Sequence, residues 1–125
     1  MKEPQKLFLA REQLTRVQVA WTDPVDWSDL TIYAFYALEN AVVAAADHLG
    51  VEWKQTHPSK VEAARELHEA HGLPDIADLL TELNTLRKSE AYGEVRPSET
   101  HDAEDIAIQV EEYIEAVAGL FEEEA

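Results

Sequence analysis

Between Trp27 and Leu49 the chain reads WSDLTIYAFYALENAVVAAADHL, and no other stretch restricts the fold as tightly. Leu30, Ile32, Tyr33, Phe35, Tyr36, Leu38, Val42, Val43 and the alanines from Ala34 to Ala46 place apolar groups on nearly every side of a helix. A helix patterned in this way is either the centre of a bundle or offers a second face to a partner subunit. Glu39 and Asn40 are the strongly polar side chains in its middle, and they also argue against a membrane span. Gly50 suits a left-handed helix end.

The remaining segments are amphipathic and of helical period. From Pro4 to about Trp21, Leu7, Ala10, Leu14, Val17 and Trp21 recur at three- and four-residue steps, opposite Arg11, Glu12 and Arg16. Thr22 to Asp26, with Asp23-Pro24, reads as a turn able to cap the next helix. After a linker at Val51 to Gln55, Ser59-Lys60-Val61-Glu62 has capping-box spacing, although Pro58 could itself begin the helix. That third helix is expected to carry Val61, Ala64, Leu67 and His71 inward and to stop at Gly72. A fourth, from Pro74 or Asp75, carries Ile76, Leu79, Leu80, Leu83 and Arg87. A fifth, from Ser98 to Thr100 onward, carries Ile106, Val110, Tyr113, Ile114, Val117, Leu120 and Phe121, and frays at Glu122 to Glu124. With no strand pattern and no repeat, the expectation is one all-α domain over residues 1–125, a five-helix up-down bundle.

Composition narrows the function. The chain carries 26 acidic against 10 basic residues, a formal charge of −16, and no cysteine. Nucleic-acid affinity comes mostly from Lys and Arg neutralising phosphates, so an independent nucleic-acid-binding module is disfavoured and RNA is expected to bind weakly. The acidity suits a solvated surface, a halophilic source or a basic partner. Without a disulfide framework or a basic-then-apolar leader, the expected location is cytoplasmic, with no membrane attachment.

The chemistry concentrates in Leu83 to Pro97, LNTLRKSEAYGEVRP. Arg87 falls on the same face as Leu83, Leu80 and Ile76, so a guanidinium lies in line with a buried stripe. That is costly unless it is paired or aimed at a ligand. On a structural reading Arg87 pairs with a buried carboxylate, Glu39 foremost, within one subunit or across a dimer and together with Asn40 or Asn84, and Tyr92 packs at the helix end. On a functional reading Arg87 steadies a phosphate.

Arg87-Lys88-Ser89-Glu90-Ala91-Tyr92-Gly93 resembles the signature of HEPN domains, in which an arginine is followed after four to six residues by a histidine. It is closer still to an uncharacterised branch with Arg-x4-Tyr-Gly. Ile32 to Glu39 is similar to the "YYA" core helix of these proteins, Thr56-His57-Pro58 to the Thr-His that opens their third helix, and Ser98 to Phe121 to their long last helix. The resemblance covers nearly the whole chain in the family's order. It implies a HEPN-like bundle that forms a homodimer with its motif helices facing across a two-fold. It also implies a toxin–antitoxin or related defence locus and a small nucleotidyltransferase as partner, with no cofactor and no metal.

In the nucleases of that family the arginine is taken to steady the scissile phosphate and the histidine to move protons. Here Tyr92 holds the histidine position, and a phenol with a pKa of about 10 is a poor base near neutrality. Two functions follow from the resemblance. One is a non-catalytic or weakly active binding and regulatory module; the other is a metal-independent endoribonuclease in which Arg87 and Tyr92 line a dimeric cleft. A second Arg-x4-His, Arg96 to His101, has the spacing but is broken by Pro97. His68 and His71, near Glu66 and Glu69, lack the spacing of known metal motifs and suit the negative end of a helix. Tyr33, Phe35 and Tyr36 could stack bases, but no basic residue is interleaved with them, so they read as core or dimer interface.

Overall fold

A computed structural model describes residues 4–22, 25–92 and 102–122, without the side chains of 89–92. Over these residues the chain forms five helices: α1 (Gln5–Ala20), α2 (Trp27–Leu49), α3 (His57–His71), α4 (Ala77–Tyr92) and α5 (Ala103–Glu122). The fold is an all-α bundle. α2 packs against each of the other four helices, while α1 lies against α5 and α3 against α4. Two helix pairs thus flank one central helix.

That position explains the composition of α2. Its residues from Ala41 to Ala46 are all buried, and six consecutive positions pass more than once around a helix. Four of these six are alanine, which lets neighbouring backbones approach closely without leaving voids. The bundle itself therefore covers most of the apolar surface that suggested a second, intersubunit face. Tyr36, 41% exposed, is the large apolar side chain of α2 that remains outside.

Helix ends follow local hydrogen bonding. Asp26 accepts the N–H of Asp29 at 3.0 Å to open α2, and Gly50 closes it at φ 75° while Val51 N–H reaches the Ala46 carbonyl. α3 begins one turn earlier than the capping-box spacing suggests. Thr56 Oγ1 accepts from Ser59 N–H, Pro58 occupies the first turn, and Ser59 Oγ instead accepts from Lys54 N–H at 2.6 Å. α4 and α5 start later than their first turn signals, at Ala77 and Ala103. Asp102 accepts from Glu104 and Asp105 N–H groups rather than occupying the helix.

The apolar stripes pack as their periods indicate, with two shifts. Ala63 joins Val61, Ala64 and Leu67 in the core, and Leu86 joins Ile76, Leu80 and Leu83. His71, expected to point inward, is exposed. Beyond the Gly72 turn, at φ 74°, the buried Leu73 is the apolar side chain next in sequence. The fraying expected at Glu122 to Glu124 falls largely outside the described residues. No helix among those described is long and apolar enough to cross a membrane.

Candidate functional site

Three helices meet at Phe35, a buried ring on the face of α2 that looks toward α3 and α4. α4 brings Arg87 onto it, with the guanidinium carbon 4.7 Å from the ring centroid. One Nη of Arg87 donates to Asn84 Oδ1, one helical turn back, at 2.9 Å. Its Nε is buried and has no hydrogen-bond partner among the described residues. The arginine set in line with Ile76, Leu80 and Leu83 thus ends half-buried against an aromatic face, where a cation–π contact contributes about 0.5–2 kcal/mol.

From the other side α3 brings His57, whose ring centroid is 5.6 Å from that of Phe35. One turn along α2 from Phe35, Glu39 faces the first turn of α3. Its carboxylate accepts from His57 Nδ1 at 3.3 Å and from Lys60 Nζ at 3.4 Å. All three side chains are mostly buried: 12% exposed for Glu39, 20% for His57 and 16% for Lys60. The first turn of α3 contains no acidic residue. Two basic side chains there oppose the positive end of the helix dipole, and the carboxylate that offsets both comes from another helix. His57 Nε2 is buried and, like Nε of Arg87, has no hydrogen-bond partner among the described residues.

Glu39 is therefore held by His57 and Lys60, and among the described residues no carboxylate pairs with Arg87. The expected Arg87–Glu39 pair does not form within the chain, because α3 reaches the carboxylate. Asn84 is beside Arg87 as expected. Asn40 is not; one residue on from Glu39 it points about 100° around the helix and donates to Gln13 of α1 at 2.8 Å. The Tyr92 side chain, Arg96 and His101 lie outside the described residues.

The aromatic set gains cations that adjacency in sequence does not show. Arg16 of α1 lies 5.8 Å from the Tyr33 ring, and Arg87 of α4 covers Phe35. Phe35 is core, whereas Tyr36 contacts it at 5.4 Å and is the exposed member. His68 donates to the Leu73 carbonyl at 2.8 Å, which ties down the end of α3. Among the described residues no three His, Cys, Asp or Glu side chains are grouped as a metal ion would require.

His57 and Lys60 are the site residues that sequence reasoning passed over. Their signal was present: a helix opening with two basic residues, no acid and an upstream Thr needs a carboxylate from elsewhere, and Glu39 is the polar residue stranded in an apolar helix. Compared with protein-family models, curated proteins and solved structures, the chain matches none.

Proposed function

We propose that the chain is a HEPN-like binding or regulatory module, non-catalytic or weakly active. It works as a homodimer in a toxin–antitoxin or related defence system beside a small nucleotidyltransferase. Arg87 is the group that engages the anionic ligand. One observation carries this reading: Arg87 is held in place by Phe35 and Asn84 while no carboxylate among the described residues neutralises it. A buried-stripe arginine used only for structure would be expected to meet an acid. The family pattern in Arg87 to Gly93 supplies the class of ligand, and the tyrosine at the histidine position argues against efficient cleavage.

The alternative, a metal-independent endoribonuclease, gains support from one feature. Glu39 and His57 form a carboxylate–imidazole pair beside the ring that carries Arg87, so a proton acceptor does lie near the arginine. Metal-free digestion of total cellular RNA separates the two. The binding reading predicts little or no cleavage by wild type, and a gain in Tyr92→His that Arg87→Ala removes. Robust wild-type cleavage abolished by Arg87→Ala establishes the nuclease instead, and cleavage that depends on Arg96 and His101 moves the site to that motif.

A further inference from the structure

We propose that the groove between α1 and α5 receives a basic amphipathic helix of a partner protein. One apolar side chain of that helix enters the groove, and a cation on either side of it meets Glu104 and Glu111. The groove belongs to the helix pair that does not carry Arg87, so the inference stands apart from the reading of that residue.

The groove has a volume of about 300 Å³. Among the described residues it is lined by Gln18 and Trp21 of α1 and by Glu104, Ala107, Ile108 and Glu111 of α5. The inward stripe of α5 runs through Ala103, Ile106, Ala107, Val110 and Tyr113 and is buried. Ile108 stands outside that stripe and remains 43% exposed. Trp21 packs against the core with part of its surface left uncovered. A single exposed isoleucine is ordinary. One that shares a concave groove with an indole forms the kind of anchor site into which a helix lays its apolar face.

Charge selects the occupant. α5 carries Glu104, Asp105, Glu111, Glu112, Glu115 and Glu122 and no Lys, Arg or His. None of the side chains lining the groove among the described residues is basic. Glu104 stands four residues before Ile108 and Glu111 three after it, so the three share one helix face, with the carboxylates about 10 Å apart along the axis. A partner helix laid along the groove matches them with one apolar residue set between two cations at the same spacing. A nucleic acid or an anionic lipid surface is repelled by a face of this sign. A two-fold contact with a second copy would set the acidic face against itself. The formal charge of −16 extends the attraction beyond the groove and steers a basic partner toward it.

The test uses the full chain and a synthetic alanine-based helix that carries one leucine, with a lysine four residues before it and another three residues after it. A control peptide has glutamates in place of the lysines. Backbone amide NMR shifts at neutral pH are expected to place the lysine peptide at Gln18 to Trp21 and Glu104 to Glu111, with a dissociation constant of about 0.1 mM. The glutamate peptide should not bind, and high salt should weaken the lysine peptide. Ile108→Ser and the double variant Glu104→Gln, Glu111→Gln alter surface positions. Each should leave the thermal midpoint unchanged and weaken binding about tenfold. No binding up to about 2 mM peptide, or shifts confined to other helices, overturns the proposal. Binding that needs the two glutamates but ignores Ile108→Ser also overturns it, by showing diffuse attraction to an acidic surface. A wild-type dimer that Ile108→Ser converts to a monomer in sedimentation gives the groove to a second copy and overturns the basic partner.

Discussion

Tyr113, midway along α5, and the Arg87 and His57 side chains around Phe35 bury polar atoms that have no partner among the described residues, but in different settings. Tyr113 is fully buried within the hydrophobic core. Burial pushes the titration of its hydroxyl well above the ordinary tyrosine range. It is one neutral group set among apolar side chains. At Phe35, by contrast, side chains from three helices bring two bases, a histidine and one shared carboxylate together. An unpartnered polar atom alone marks only a cost of about 1–3 kcal/mol. An unpartnered guanidinium nitrogen with no acid beside it among the described residues suits an anion.

The largest effect expected from breaking this contrast is on Glu39. Glu39→Ala leaves His57 and Lys60 mostly buried without their carboxylate, and chemical denaturation should show a loss of about 3 kcal/mol. Unchanged stability would mean that the cluster is solvated and that the interhelix pairing is incidental.

Arg87 comes next and should separate stability from binding. Arg87→Met keeps the contact with Phe35 and removes the unpartnered Nε, so the denaturation midpoint should stay within about 1 kcal/mol of wild type. Phosphodiester binding should nevertheless fall at least tenfold in the same variant, a loss of about 1.4 kcal/mol. A large loss of stability with binding unchanged would assign Arg87 to the core, beside Tyr113 in kind.

Tyr113→Phe is the smallest change and works in the opposite direction. Removing a hydroxyl that has no partner should be neutral or stabilising by about 1 kcal/mol. The pH dependence has a definite sign. The phenol ionises at about pH 10 in the unfolded chain and only at higher pH when folded, so its contribution is complete below pH 10 and is lost as pH rises above it. Tyr113→Phe should therefore blunt the alkaline fall in stability. A marked destabilisation at neutral pH would reveal a hydrogen bond to the Tyr113 hydroxyl.

Much of the fold was legible from short-range patterns. The period of Leu7, Ala10 and Val17, and that of Ile106, Val110, Tyr113 and Ile114, named the buried faces of α1 and α5 because a helical repeat makes side-chain direction a local property. The competing cap signals at Thr56, Pro58 and Ser59 were less readable. Each can serve a helix start, and the choice depended on Ser59 Oγ being taken by Lys54 N–H in the preceding linker. The candidate site was legible in part. Arg87 stood out as a cation in an apolar stripe and Asn84 as its neighbour, but the α2 carboxylate assigned to it, Glu39, is taken by His57 and Lys60 of α3.

What the sequence determined by itself was where helices run, which stripes are apolar, and that α2 is either the centre of the bundle or offers a second face to a partner. Those properties arise within one or two turns of chain, from hydrogen bonds and side-chain spacing that do not depend on distant residues. The tertiary structure alone decided which charges meet. Glu39 lies 18 residues from His57, and Arg87 lies far from both along the chain. Whether that carboxylate takes an arginine from α4 or a histidine and lysine from α3 depends on how the helices are set against α2. Coulomb and hydrogen-bond energies change steeply over an ångström or two, whereas helical periodicity fixes a face and leaves the partner across it open.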